Sequence, residues 1–198
     1  IAFALTQIQQ RITEAAQQHA RATDSIQLLA VSKTRPVADI LTAIQCGQQR
    51  FGESYVQEAI PKIQALQDYP IEWHYIGPLQ SNKTRLIAQH FDWVQSLDTL
   101  KCAQRLNAQR PDHLPPLNIC IQVNISEEPQ KSGILMRDLP AFAQIIIELP
   151  RLRLRGLMAV PAYTQDFEQQ RIPFRALHEA YRHLQIAGLT LDILSIGM

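Results

Sequence analysis

Cysteine is scarce. The chain has three, Cys46, Cys102 and Cys120, an odd number with no C-x-x-C pair and no close histidine, which excludes a disulfide framework and a cysteine-based zinc site. They read as small buried or half-buried apolar side chains. The six histidines are scattered as well. His178 and His183, five apart, fall on different faces of a helix, so no metal site is expected. Charge of one sign is missing: Lys and Arg total 19 against 18 Asp and Glu, and no block of like charge exceeds two residues. Neither a basic track for nucleic acid nor an acidic tail is announced. Long apolar runs are missing too. Leu28-Leu29-Ala30-Val31 and Ile145-Ile146-Ile147 fall far short of the roughly 18 residues a spanning helix needs, and no charged-then-apolar leader opens the chain. These absences predict a soluble, cytoplasmic protein with no nucleic-acid or membrane partner.

What is present is core-forming sequence. Of 198 residues, 46% are apolar and 19% charged, enough to offset chain entropy in one domain. Phe3, Leu5, Ile8, Ile12, Ala15 and Ala16 recur at helical spacing and predict an opening amphipathic helix. The period then changes. Residues 26–31 form a short apolar run, as in a strand buried on both faces. Pro36 follows, placed to start a helix that Gly47 stops. The alternation repeats with strands at 50–51, 73–76, 93–97, 117–123, 152–158 and 191–195. Helices are expected at 55–66, 83–90, 99–109, 136–149 and about 167–187.

Seven strands, each but the last followed by a helix, argue a parallel sheet covered by helices. A doubly wound sheet often carries a glycine-rich first turn; here that turn reads Ser32-Lys33-Thr34-Arg35-Pro36. The preferred reading is an α/β fold of the (β/α)8 TIM-barrel type, with an extra N-terminal helix. Such barrels need eight units and typically about 250 residues, so the eighth unit is expected to be absent.

In a barrel, reacting groups lie at the carboxyl ends of strands. Here those ends offer Ser32, Lys33 and Thr34, then Glu53, Ser54 and Tyr55, Gly77 and Pro78, Ser96 and Asp98, Asn124, Met158 and Ala159, and finally Ser195, Gly197 and Met198. No Ser-His-Asp or Cys-His set assembles from them. No carboxylate cage for Mg²⁺ is evident, although Glu53 and Asp98, both at strand ends, could in principle meet. A lysine at a barrel mouth can lose its proton through desolvation and then add to an aldehyde, and that singles out Lys33; the alternative is an ordinary solvated loop lysine. Arg151, Arg153 and Arg155 alternate with leucines and read as a strand flank. Lys131, in the loop 126–133, either reaches an anion or faces water.

The segments Leu29-Ala30-Val31-Ser32-Lys33-Thr34, Phe51-Gly52-Glu53-Ser54-Tyr55-Val56-Gln57-Glu58 and Trp73-His74-Tyr75-Ile76-Gly77-Pro78-Leu79-Gln80-Ser81-Asn82-Lys83 together resemble the pyridoxal-phosphate homeostasis protein family. So do Gln122-Val123-Asn124-Ile125, Lys131-Ser132-Gly133, Arg155-Gly156-Leu157-Met158-Ala159 and Leu194-Ser195-Ile196-Gly197-Met198. The likeness runs along essentially the whole chain in motif order. It implies a fold like the N-terminal barrel domain of alanine racemase, with pyridoxal phosphate held as a Schiff base on Lys33. It also implies a carrier or regulator of the vitamin B6 pool with no established enzymatic reaction, so no catalytic residues are assigned. Ser195, Gly197 and Met198 are what the chain retains of the phosphate side, and Met158 and Ser54 complete the cofactor-binding set. Position 54 is Ser where many relatives carry Asn, which weakens any contact expected from it.

The alternative function is a pyridoxal-phosphate-dependent amino-acid racemase, which would need a second acid-base group from a further domain; a protein-binding scaffold is a third. Pyridoxal phosphate is the expected ligand, apo forms of enzymes that use it are possible partners, and a monomer is expected. The missing eighth unit and the absence of an initiating Met are read as omitted terminal residues of a longer protein. An incompletely closed barrel without bound cofactor is therefore expected over residues 1–198.

Overall fold

The two apolar periodicities resolve into seven strands and seven α-helices among the described residues. The structure is a computed structural model and describes residues 1–128 and 131–197. Two compact units are distinguished, Ile1–His74 and Tyr75–Met198.

In the first unit, α1 (Ala2–Gln18) buries only Ala16 fully and leaves Phe3 and Ile8 exposed. Strand β1 is Ala30–Val31 and pairs in parallel with β2 (Arg50–Glu53), Ala30 opposite Phe51 and Val31 opposite Gly52. This corrects the expectation of a doubly buried strand over 26–31. β1 stands at one end of the strand order, and Val31 is 52% exposed. Residues 27–29 stay outside the ladder, and the Leu28 carbonyl is taken by the Gln48 side-chain amide at 2.9 Å.

Helix α2 (Val37–Gln45) starts after Pro36, whose φ of −70° is already helical. Gly47, at φ +88°, closes it. The Gly47 N–H donates to the Ile44 carbonyl and the Gln48 N–H to that of Ala43, the paired bonds of a Schellman cap. Helix α3 (Val56–Ala65) and β3 (Glu72–Tyr75) complete this part, with strand order β1-β2-β3.

The second unit continues with α4 (Thr84–His90), β4 (Trp93–Leu97), α5 (Leu100–Gln109), β5 (Leu117–Gln122), α6 (Leu139–Ile147), β6 (Leu152–Ala159), α7 (Phe167–Ile186) and β7 (Ile193–Ile196). Its strands run β4-β5-β6-β7, and each neighbouring pair is parallel. β4 is buried at every position, and Leu117, Ile119 and Ile121 of β5 expose nothing, as expected of strands covered on both faces. Burying each such side chain contributes about 1.5–3 kcal/mol. β7 is displaced by one to two residues from the expected 191–195, so Ser195 lies inside the strand; Ala159 likewise lies inside β6.

Gly156 is fixed by packing: a Cβ there would stand 1.8 Å from the Ile193 carbonyl oxygen. α7 begins where its cap says it should, the Gln169 N–H donating to Asp166 Oδ1 at 2.8 Å. Two arginines, Arg151 before β6 and Arg155 within it, are structural fasteners. Arg151 donates to the carbonyls of Pro111 and Leu114. Arg155 pairs with Asp192 at 2.5 Å, and its guanidinium lies 4.8 Å from the centre of the Trp93 ring. Two of the three thiols are buried, but Cys46, just past α2, is exposed, which corrects the expectation for that residue.

Candidate functional site

Lys33 lies in a four-residue turn that leaves β1. The Arg35 N–H donates to the Ser32 carbonyl at 3.1 Å, so Lys33 and Thr34 are the two central residues. Thr34 has φ +64°. A turn with positive φ at its third position ordinarily carries Gly or Asn there. A β-branched residue in this region is a genuine outlier, strained by about 1–3 kcal/mol. Lys33 is exposed; the burial that sequence reasoning expected to activate it is not supplied by the described residues.

Beneath the turn is a charged cluster. Lys62, on α3, has a side chain 7% exposed, and Glu53, at the end of β2, one fully buried. The Lys62 ammonium donates to Glu53 Oε1 at 2.8 Å, to Glu58 Oε1 at 2.6 Å and to the Ser32 carbonyl at 2.8 Å. The Ser32 hydroxyl donates to the same Glu53 oxygen at 2.6 Å. Glu53 Oε2 has no hydrogen-bond partner among the described residues. The Thr34 N–H donates to Glu58 Oε1 at 2.6 Å. The hydrogen bond from Lys62 is the main cause holding the Glu58 carboxyl below its ordinary value of 4.5; burial opposes it and the Thr34 N–H assists.

Ser54 follows β2 directly and is half-buried. Because Val31 is opposite Gly52, Lys33 and Ser54 each lie two residues beyond that pair, at the same end of the β1-β2 ladder. In the second unit, Met158 and Ser195 are direct register partners on β6 and β7. The Met158 side chain is buried with Trp93, Cys120 and Ile193. Burial pushes the Cys120 thiol up to about 12. The Ser195 hydroxyl donates to Gln95 Oε1 at 2.5 Å. Gly197 is exposed, and a Cβ added there would meet nothing within 4 Å. Met198 lies outside the described residues.

The two strand-end carboxylates are separately engaged. Glu53 serves Lys62 and Ser32, whereas Asp98 accepts the Gly133 N–H, and burial raises its pKa. No group of three or more His, Cys, Asp and Glu is placed to hold a metal among the described residues. Lys131 is ion-paired with Glu128 at 2.7 Å. No helix among the described residues is long and apolar enough to cross a membrane. Sequence reasoning passed over Lys62, Glu58 and Gln95. The spacing of Glu58 and Lys62, four apart on one helix, was the available signal for the first two; nothing in the sequence pointed to Gln95.

The alanine racemase N-terminal domain family matches residues 4–198. The chain is 52% identical over 198 residues to the pyridoxal phosphate homeostasis protein of Pasteurella multocida, covering 98% of this chain and 85% of that protein. With the protein of the same name from Escherichia coli K12 the identity is 50% over 208 residues, covering 100% of this chain and 86% of that one. Among solved structures, PipY of Synechococcus elongatus without PLP superposes with a TM-score of 0.81 at 34% identity, over 94% of this chain and 87% of PipY. PipY with PLP bound gives 0.78 at 32%, over 94% and 88%. The α/β fold, the motif order and these relatives agree: the chain belongs to the alanine racemase N-terminal domain family, among its pyridoxal phosphate homeostasis proteins.

Proposed function

We propose that this protein binds pyridoxal phosphate and serves in its homeostasis, holding the cofactor reversibly on Lys33 and catalysing no reaction of its own. The observation that carries this reading is the position of Lys33: an exposed primary amine in a hydrogen-bonded turn at the end of a parallel strand, in a fold shared with a PLP-bound relative. Pyridoxal phosphate supplies an aldehyde, whose carbon forms a C=N bond to a lysine amine while the carbonyl oxygen leaves as water.

The chain's own residues suit that ligand. Lys33 offers the amine, and Ser54, half-buried at the same ladder end, offers a hydroxyl. For the phosphate we assign the Ser195 hydroxyl and the Gly197 backbone, where a Cβ would meet nothing within 4 Å. Met158, direct partner of Ser195, packs beneath that strand. In this reading the domain is a single TIM-type barrel that an eighth unit would complete. The protein is a cytoplasmic monomer, and its partners are apo forms of pyridoxal-phosphate enzymes.

Lys33→Ala tests the assignment. After loading with pyridoxal phosphate and removal of unbound cofactor, the parent protein is expected to stay yellow and the variant to be colourless; equal retention by both would show that Lys33 is not the anchor. The racemase alternative has one supporting observation, the family match itself. Incubation with L-alanine in deuterated water decides it: α-carbon exchange no faster than with free cofactor is expected, and exchange well above it would make the protein an enzyme.

A further inference from the structure

We infer that Glu58 and Lys62 are positioning residues for Lys33: together they clamp the peptide groups on both sides of it and hold the turn in a conformation its sequence disfavours. The inference rests on Lys33 as the site of cofactor attachment. Upstream, the Ser32 carbonyl accepts from Lys62 Nζ at 2.8 Å. Downstream, the Thr34 N–H donates to Glu58 Oε1 at 2.6 Å. The two anchors are themselves joined, Lys62 Nζ donating to Glu58 Oε1 at 2.6 Å. Lys33 is thus the one residue spanning two fixed points.

Three features argue that the clamp positions the turn and does not merely fill space. The Thr34 φ of +64° is unfavourable for a β-branched residue and persists only where its surroundings impose it; Glu58 supplies the bond that does so. Lys62 is tethered from below by Glu53, whose side chain is fully buried, so the clamp is fixed to the β2 strand end and not to a mobile side chain. Ser32 is fixed twice, through its hydroxyl to Glu53 and through its carbonyl to Lys62. A nucleophile whose backbone is already ordered loses less freedom when it forms a bond.

The test is the rate at which pyridoxal phosphate becomes attached to Lys33, followed by the growth of the yellow band and by borohydride trapping with peptide mapping. Glu58→Ala releases the Thr34 N–H but keeps the Lys62–Glu53 pair. It is expected to slow attachment by about tenfold, the scale set by freeing one backbone residue, measured at a temperature where the parent and the variant are both fully folded. Glu58→Gln, which retains an acceptor for that N–H, is expected to attach at close to the parent rate. Thr34→Gly in the Glu58→Ala background, which allows positive φ without the clamp but leaves the backbone free, is expected to recover part of the loss. A purely structural Glu58 would show neither recovery. Attachment to Lys33 in Glu58→Ala at the parent rate would overturn the inference while leaving the function intact. A label that maps away from Lys33 in the parent protein would overturn both.

Discussion

At the scale of single residues, the charged cluster under the Lys33 turn sets the most specific expectations. Lys62 is the cation between two carboxylates, one of them buried outright. Removing it by Lys62→Met strands Glu53 without a counter-charge. A loss of about 3–5 kcal/mol, the usual result of breaking a buried pair from one side, is expected in urea unfolding. Glu58 contributes differently. Its folded-state pKa lies below 4.5, chiefly through the Lys62 hydrogen bond. A depressed carboxyl adds stability that is complete above the unfolded-state value and is lost as pH falls through the folded one. The melting-temperature gap between the parent and Glu58→Gln should therefore be full at about pH 6 and close as pH drops below 4.5; a gap independent of pH would mean the carboxylate charge plays no part. Among the thiols, Cys46 is exposed while Cys102 and Cys120 are buried. Native alkylation should label Cys46 alone, a thiolate being needed for reaction and burial withholding it from Cys120.

At the scale of elements, the strands and helices were legible because their apolar periods are strong and their punctuation is explicit. Gly47 sits where the chain needs positive φ to leave α2, and Asp166 caps α7. What misled was β1. The run 26–31 is as apolar as a buried strand, yet periodicity carries no information about which strand ends a sheet, and only two of its residues join the ladder. Gly156 illustrates the converse: nothing in a strand pattern says why a glycine is needed there, and the approach of the Ile193 carbonyl to 1.8 Å from a built Cβ does. Gly156→Ala should force β6 and β7 apart and destabilise by about 1–3 kcal/mol or more, read as a fall in the urea midpoint. An unchanged midpoint would show that the pair can shift without cost.

For the whole molecule, the β-α alternation gave the fold class, and the motif likeness, not the alternation, singled out a ligand. Composition could not propose a ligand, because an exposed lysine in a loop is chemically ordinary. Its significance came from the segments around it, and the structure adds a reason for two of them. The Phe51–Glu58 motif supplies Glu53 and Glu58, both engaged with the turn that carries Lys33. Lys62, seven residues after Tyr55 and four after Glu58, lies outside every motif that drew attention, since its role depends on a contact 30 residues back in the chain. The central claim is that Lys33 is the residue that holds pyridoxal phosphate. It is tested most directly by reducing the parent protein's complex with borohydride and mapping the modified peptide. One stoichiometric label, on Lys33, is expected; a label on any other lysine, or none, would show that Lys33 does not hold the cofactor.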